Sequence, residues 1–580
     1  MKSERASKIA SVGVAILAVA WVCLAANSPA NRQASAPMPA VVAAMQAELN
    51  ASFPILSKAD PPAYFISYTV DDRQGATVSG SNGALLSSSD DRGRWLQVQT
   101  RVGSYELDDT HDIPGQQSSW TSPGTDVVLD DNIPALRHQI WRETDRQYRA
   151  AVQALIKVKT SQQVQVQTAE GAAPDFSREE PHVFIGSPVE IHVDRKPWEA
   201  RVRKYTATFS ASPAVLNSIA TFTAEATNQY QVNSEGTKLA FGLVHYRLEL
   251  YVQSKAPDGM DIDRYANFDW RDPNEAPTDK EVMARIHTML GETEGLDKAP
   301  LVDPYAGPAL LTGRAAAVYF HEVFGHRAEG FRQKQITEGQ TFTSKIGQQI
   351  LPDFLSIKDD PTEKSFDGHM LLGYYPFDDE GVPAQDVQLI NHGVLKTFLM
   401  SRSPLVGIPN SNGHGRRQLG YVPVARQGNL IVTSSRTITD RQLRQKLIEL
   451  VKEQHKPFGL LIDDIAGGFT FTGRSNPQAF QVLPLVVYKV FPDGRPDELV
   501  RGVNIVGTPL VSLTKIVATG DKPEIFNGYC GAESGSVPVS AVAPAMLISE
   551  LEVQKKETST DRPPILPPPL HDPEAKGAGQ

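Results

Sequence analysis

The chain has 580 residues, of which 40% are hydrophobic and 21% are charged, and its formal net charge at pH 7 is −10. This length allows two or three globular domains, and the composition excludes a fibrous protein or one that is disordered throughout. The negative charge, without a long run of Lys and Arg, argues against nucleic-acid binding through phosphate neutralisation. The 43 glycines and 42 prolines indicate many turns, and hence a strand-rich protein.

The N-terminus has the pattern of an export signal. Three basic residues, Lys2, Arg5 and Lys8, precede an apolar run over 9–26, and no charge follows until Arg32. The run is long for a cleaved signal and sufficient for a membrane anchor, so an uncleaved single-pass anchor is the alternative. We assign residues 1–37 to a signal peptide or anchor with a spacer, and we expect the body to be exported to the periplasm or outside the cell.

The segment 38–296 forms the predicted N-terminal region. A short helix over 39–49 is followed by runs of strand composition at 64–70, 76–86 and 95–102, which suggest an antiparallel meander with a turn at Asn82-Gly83. Apolar residues at helical spacing after Pro134 predict a long helix up to Ile156.

The rest of this region is less regular. Residues 157–200 are polar and predict a loop or hinge, and 205–252 has strand composition with a turn at 233–236. Thr278 and Glu281 form a capping box that predicts a helix start. We place the main domain boundary near Leu296, because the sequence Lys298-Ala299-Pro300 breaks the helical pattern.

The segment 297–553 forms the predicted C-terminal domain. It has strand signals at 387–391, 394–400, 428–433, 481–491 and 499–506, and a capping box at Thr439 and Gln442 starts a further helix. The Pro-rich tail 554–580 predicts disorder. The fold class is therefore α+β, with an N-terminal α/β region that has antiparallel strands and a strand-rich, barrel-like C-terminal domain.

A motif of two histidines and a glutamate lies near the middle of the chain. His321, Glu322 and His326 follow an alanine-rich run with helical composition. Two imidazoles beside a carboxylate are suited to holding a divalent metal with one base nearby, although buried structural histidines are the alternative. An ideal helix would place the two histidines about 140° apart. We therefore predict a helix whose end is irregular at Gly325, the residue that tolerates such a distortion.

The cysteine count singles out one thiol. Cys23 lies in the N-terminal signal, so Cys530 is the only cysteine of the exported body and has no intramolecular disulfide partner. A free thiol in an oxidising compartment is a liability unless it is buried or occupied. Glycines flank Cys530 closely, which favours a turn that faces a cavity over a buried apolar strand, although a buried hydrophobic cysteine is the alternative.

Several segments together resemble the TldD/PmbA family of metallopeptidases, specifically its metal-bearing TldD-type subunit. They are 307–317, 321–326, 377–383, 393–396, 413–417 and 530–539, and the resemblance over 40–290 is faint. The resemblance implies a zinc ion held by His321, His326 and Cys530, with Glu322 as general base. The residue chemistry gives the same set, because two imidazoles and a thiolate leave a fourth position open for water.

Other polar residues have weaker assignments. His414, Arg416 and Arg417 lie in a glycine-rich segment and are candidates for substrate binding, with an ordinary basic loop as the alternative. Glu329 is either a carboxylate that orients an imidazole or, as we favour, a solvated residue at a helix end.

The expected function is that of a zinc-dependent metallopeptidase acting on flexible or unfolded peptides. One alternative is a non-catalytic binding or assembly subunit, and a weaker one is amide hydrolysis on a cell-wall fragment. The resemblance implies a homodimer or a heterodimer with a related subunit. Family members are typically cytosolic, so the export signal is a departure that leaves partner and substrate open.

Overall fold

The computed structural model describes residues 37–116, 119–164, 173–335, 337–475, 479–558 and 561–566. The N-terminal segment 1–36, interpreted above as an export signal or anchor, lies outside the described residues. So does most of the C-terminal tail, for which we predict disorder. In the described ranges, no helix is both long enough and apolar enough to cross a membrane.

The fold is α+β, as the sequence predicts, and it consists of two regions that each contain a sheet and helices. The first sheet contains β1 Ala63–Ser81, β2 Ala84–Val102, β3 Thr125–Asp126, β4 Val183–Ile185, β5 Asn217–Asn233, β6 Lys238–Lys255 and β7 Asp261–Trp270. Its strand order is β3-β2-β1-β5-β6, with β4 and β7 both paired to β6. Its helices are α1 Ala40–Leu56, α2 Ile133–Val164, α3 Arg195–Ser210 and α4 Asp279–Lys298.

The first sheet has one helix-covered face. Residues of even number on β1 contact α1 and α2 at one end of the strand, through Tyr68 and Val70, and α3 at the other end, through Val78. The opposite face turns towards the C-terminal domain, where Asp71 pairs with Arg417 at 3.2 Å. This ion pair connects β1 to the C-terminal domain.

The predicted elements of this region are confirmed in part. The helices α1, α2 and α4 are present, as are the turns at Asn82-Gly83 and 233–236. The runs predicted at 64–70 and 76–81 form the single strand β1, because Gly75 pairs with Asp91 of β2 and does not start a turn. Residues 84–86, beyond the turn, belong to β2.

The prediction that strand structure begins at residue 205 is wrong, since residues 205–210 belong to α3. The aromatic and β-branched residues there are typical of strands, but the buried positions Val202, Tyr205, Thr206 and Phe209 repeat at helical spacing. The loop predicted over 157–200 also contains the end of α2, the strand β4 and the start of α3.

The second region is richer in strands. Its strands are β8 Tyr305–Leu311, β9 Leu355–Asp359, β10 Ser365–Phe366, β11 His369–Met370, β12 Val387–Asn391, β13 Val394–Leu395, β14 Gly415–Arg416, β15 Val424–Ala425, β16 Asn429–Ser434, β17 Thr437–Ile438, β18 Gly459–Thr470, β19 Phe480–Val490, β20 Glu498–Val500, β21 Val503–Gly507, β22 Ile516–Ala532 and β23 Gly535–Lys555. Its helices are α5 Gly313–Val323, α6 Phe331–Lys334, α7 Asp440–Glu453 and α8 Pro509–Thr514.

Five of these strands close into a barrel. The pairing runs β23-β21-β19-β18-β8 and returns to β23, which also pairs with β8. The predicted barrel-like character is therefore confirmed. Helix α5 begins directly after β8 and contacts β18, β22 and β23, so its alanine-rich run is buried. The domain boundary that we propose near Leu296 falls in the last turn of α4.

Candidate metal centre

Helix α5 carries the first part of the motif. Its start is capped by Thr312, whose side chain accepts a hydrogen bond from the Ala315 amide, and it ends at Val323. A 3₁₀ turn, Gly325–Ala328, follows and carries His326. The irregular helix end predicted at Gly325 is confirmed. A Cβ atom at Gly325 would overlap the amide group of Gln427, which is buried and would have to move.

Three possible metal ligands converge at this helix end. The Nε2 atom of His321 lies 3.2 Å from the Sγ atom of Cys530, and the Nε2 atom of His326 lies 3.3 Å from the same sulfur. The ligand atoms of all three residues lie within 4.8 Å of one another. The two imidazole rings are nearly perpendicular, at 79°. The broken helix thus brings both Nε2 atoms to one sulfur, which an unbroken helix would not do.

Cys530 reaches the site from a strand. It lies on β22 opposite Val537 of β23, so the turn predicted around it is wrong, and its flanking glycines are strand residues. Its side chain is buried beside Val537 and Val539. Burial alone would raise the pKa of the thiol, but His326, Arg426 and His321 outweigh that effect and hold the pKa well below its usual value. The environment therefore favours the thiolate, the form that binds metals.

Glu322 lies at the edge of the cluster. Its Oε2 atom is 3.9 Å from Nε2 of His326, and its side chain lies against Gly468 of β18. The pKa of this carboxyl is raised above its ordinary value, chiefly by burial, and the two histidines oppose the rise. A carboxylate with a raised pKa beside a metal site is suited to accept and return a proton.

Glu329 is not the solvated residue that we favoured from the sequence. It is fully buried, accepts a hydrogen bond from Nε of Arg332 at 2.8 Å, and lies 3.3 Å from Nδ1 of His326. Burial would raise the pKa of this carboxyl, but His326 and Arg332 bring it down to about 2. Glu329 is therefore ionised beside the imidazole.

The three residues suggested for substrate binding have partners within the protein. The buried ring of His414 has its Nε2 atom 3.3 Å from a carboxylate oxygen of Asp359, and Arg416 donates to the carbonyl oxygen of Gln427 at 2.6 Å. Arg417 pairs with a carboxylate of the first sheet. All three side chains are buried and bonded within the protein, so their proposed role in substrate binding stays a prediction.

Sequence reasoning missed three charged residues that surround the cluster. They are Arg332, Arg426 and Glu533, which link the turn after α5 to the β22–β23 hairpin. No motif marks Arg426 or Glu533, because their role depends on pairing between segments that are distant in the chain. Arg332 follows Glu329 by three residues, a spacing that suggests a helical ion pair.

The comparison with known families agrees with this geometry. Residues 305–555 match the family model described as the PmbA/TldA metallopeptidase C-terminal domain. Residues 305–555 therefore form a domain of the TldD/PmbA family. The matched segment begins at β8 and ends at β23, so it contains the barrel, α5 and all three residues of the cluster.

Curated relatives of the family match about two fifths of the chain. The chain is 31% identical over 255 residues to the metalloprotease TldD homolog of Haemophilus influenzae, and the aligned segment covers 42% of this chain and 48% of the relative. It is 28% identical over 259 residues to a metalloprotease of Archaeoglobus fulgidus, covering 43% and 54%. The zinc metalloprotease TldD homolog of Saccharolobus solfataricus is 25% identical over 254 residues, covering 43% and 52%. The chain thus spans about half the length of these relatives.

Solved structures of similar fold extend over both regions. A Thermotoga maritima protein aligns with a TM-score of 0.58 at 16% identity, covering 88% of this chain and 100% of that chain. TldE from Thermococcus kodakarensis aligns with a TM-score of 0.57 at 13% identity, with the same coverage. At these identities the likeness shows the fold, including that of the N-terminal region.

Proposed function

We propose that this protein is a zinc-dependent metallopeptidase that hydrolyses flexible or unfolded peptides. The observation that carries the proposal is the convergence of His321, His326 and Cys530, whose ligand atoms lie within 4.8 Å of one another in a buried site. The relatives named metalloproteases and the family model support the same class of activity.

The donor set fits zinc. Zinc bonds of about 2.3 Å to sulfur and about 2.0 Å to nitrogen give a tetrahedral S···N separation of about 3.5 Å. The separations of 3.2 and 3.3 Å between the sulfur and the two Nε2 atoms are close to that value. Two nitrogen ligands and one thiolate also leave the fourth position for water, as in catalytic zinc sites.

The protein's own groups would carry the proton transfers. A zinc ion held here would supply a Lewis acid for the scissile carbonyl and would acidify a water molecule. Glu322 would take a proton from the attacking water and return it to the leaving amine. The buried surroundings strengthen these electrostatic interactions by excluding bulk water.

Burial also supports a flexible substrate. His321, Glu322, His326 and Cys530 are only 4% to 7% exposed, so the rigid surface of a folded protein would not reach them. We propose that an extended peptide backbone, which is narrower than a folded surface, reaches the site instead. The proposed preference for unfolded peptides therefore follows from the limited access of a substrate to the buried site, and it does not depend on a side-chain pocket.

The test separates catalysis from binding. Glu322→Gln keeps the shape of the side chain and removes the base, so peptide cleavage falls by about 10²–10⁴-fold while zinc content stays at that of the wild type. Zinc is measured per chain by metal analysis, and cleavage is followed on an unfolded protein such as reduced casein. A wild type that binds zinc and cleaves no peptide would favour a binding or assembly subunit.

We also propose that the chain is exported and assembles as a dimer, with itself or with a related subunit. The charge pattern of residues 1–37 supports export. The shared fold with TldE is compatible with a two-subunit assembly. Cell fractionation with N-terminal sequencing tests export, and light scattering of the purified chain tests the assembly.

A further inference from the structure

The buried carboxylate of Glu329 contacts His326, one of the three proposed metal ligands. The Oε2 atom of Glu329 lies 3.3 Å from Nδ1 of His326, on the side of the ring opposite the Nε2 atom that faces Cys530. A carboxylate in this position accepts a hydrogen bond from Nδ1–H and leaves the lone pair of Nε2 free for a metal. His321 differs, because its buried Nδ1 atom has no hydrogen-bond partner among the described residues.

Two arginines hold this carboxylate in place. Arg332 donates to Glu329 at 2.8 Å, and the Nε atom of Arg426 lies 3.5 Å from the other carboxylate oxygen. The side chains of Glu329 and Arg426 are fully buried, and that of Arg332 is 5% exposed. A buried carboxylate between two guanidinium groups has little freedom to move, since leaving either pair would strand a buried charge.

The same arginines reach the hairpin that carries the third ligand. Arg332 donates to both carboxylate oxygens of Glu533, at 2.9 and 2.7 Å. Arg426 donates to the backbone carbonyl of Cys530 at 2.5 Å and to the hydroxyl of Ser534 at 2.8 Å. The network therefore runs from His326, through Glu329, to the backbone of Cys530.

We propose that Glu329 is the positioning residue of the metal centre, which fixes His326 with Nε2 directed at the metal and, through Arg332 and Arg426, sets its distance from Cys530. The inference deepens the proposed function and rests on it, because positioning has meaning only where a metal binds. A purely structural ion-pair network would stabilise the fold equally but would leave the affinity for metal unchanged.

The main test measures zinc affinity in Glu329→Gln. This substitution keeps the shape of the side chain and removes the charge that holds the Nδ1 proton, so the Kd for zinc, measured by competition with a chelator, rises about 10–100-fold. The matched control is Asp72→Asn, which removes another buried carboxylate paired with an arginine, Arg94, in the first sheet. The control leaves the Kd unchanged. A Kd for Glu329→Gln within twofold of the wild type overturns the inference.

A second variant and a second measurement protect the test against misfolding. Glu329→Asp keeps the charge for both arginines but draws the carboxylate away from His326, and its Kd for zinc also rises. In a crystal structure of the zinc-bound wild type, His326 coordinates through Nε2 while Nδ1 contacts Glu329. Coordination through Nδ1 overturns the inference whatever the variants do. A wild type that binds no zinc refutes the proposed function itself, a result distinct from these.

Discussion

The Nε2 atom of His326 lies 3.3 Å from the Sγ atom of Cys530, although 204 residues separate them in the chain. One atom belongs to the turn after α5 and the other to β22, so the cluster exists only once the hairpin β22–β23 has paired and α5 has packed against it. A metal bound here therefore links two segments that local structure alone would not bring together.

Removal of the metal should lower the stability of the wild type. A ligand that binds only the folded state at 1,000 times its Kd stabilises by about 4 kcal/mol. We expect a chelator to lower the Tm of the wild type and to have little effect on Cys530→Ser, which already lacks one ligand. Calorimetry with and without chelator measures both. An unchanged wild-type Tm would contradict metal binding in the folded protein.

The sequence predicts much of the site because its strongest signals are local. The spacing of His321 and His326 indicates an irregular helix end at Gly325, and the capping box at Thr439 marks the start of α7. Cys530 stands out because no other cysteine is available in the body. These inferences need only nearby residues or composition.

The errors concern features that depend on distant parts of the chain. Glycines near Cys530 suggest a turn, whereas pairing with β23 keeps them in a strand. The sequence favours a solvated position for Glu329, whereas the fold buries it in ion pairs with Arg332 and Arg426. His414 is buried beside Asp359, which its glycine-rich segment does not indicate. Burial of a polar side chain is a tertiary property that no local pattern shows.

Gly325→Ala tests whether space is the reason for glycine at the helix end. An added Cβ atom would overlap Gln427, which is 1% exposed and whose Nε2 atom lies 3.5 Å from the carbonyl of His321. We expect a loss of about 1–3 kcal/mol in the free energy of unfolding, as for other overpacked sites. Denaturant titration measures it.

A double-mutant cycle supplies the control for this substitution. In the background of Gln427→Ala the space is open, so Gly325→Ala should cost less there than in the wild type, and the two changes should be non-additive. Equal costs in both backgrounds would assign the role of Gly325 to its backbone and not to its contact with Gln427.

Two neighbouring glycines of β18 offer a test of the position of Glu322. A Cβ atom at Gly468 would lie 2.6 Å from Cγ of Glu322 and 2.9 Å from the backbone carbonyl oxygen of Gln481, whereas one at Gly467 meets nothing within 4 Å. We expect Gly468→Ala to displace the proposed base and to lower kcat/KM on the order of 10²-fold, with zinc content unchanged. Gly467→Ala is the matched control and should keep full activity. Equal losses in both variants would point to a general effect on the barrel.

Glu380 should make the stability of the protein depend on pH. This carboxyl is buried and accepts a hydrogen bond from the Arg402 amide at 2.6 Å, and burial raises its pKa from 4.5 to about 7 against the opposing effect of Arg402. Between these two values the folded state holds a proton that the unfolded state has lost. Stability contributed by this group is therefore present below pH 4.5 and declines as the pH rises towards 7, on the order of 3 kcal/mol in total.

Glu380→Gln removes this titration while keeping an oxygen that can accept from Arg402. The free energy of unfolding, measured in denaturant from pH 5 to pH 8, should decline less in the variant than in the wild type, because the amide has no proton to lose. Glu449→Gln, which changes an exposed carboxylate on α7, is the control and should follow the wild-type profile. If the profiles of Glu380→Gln and the wild type were parallel, Glu380 would already be ionised at pH 5, stabilised by Arg402 and the surrounding charges in spite of its burial.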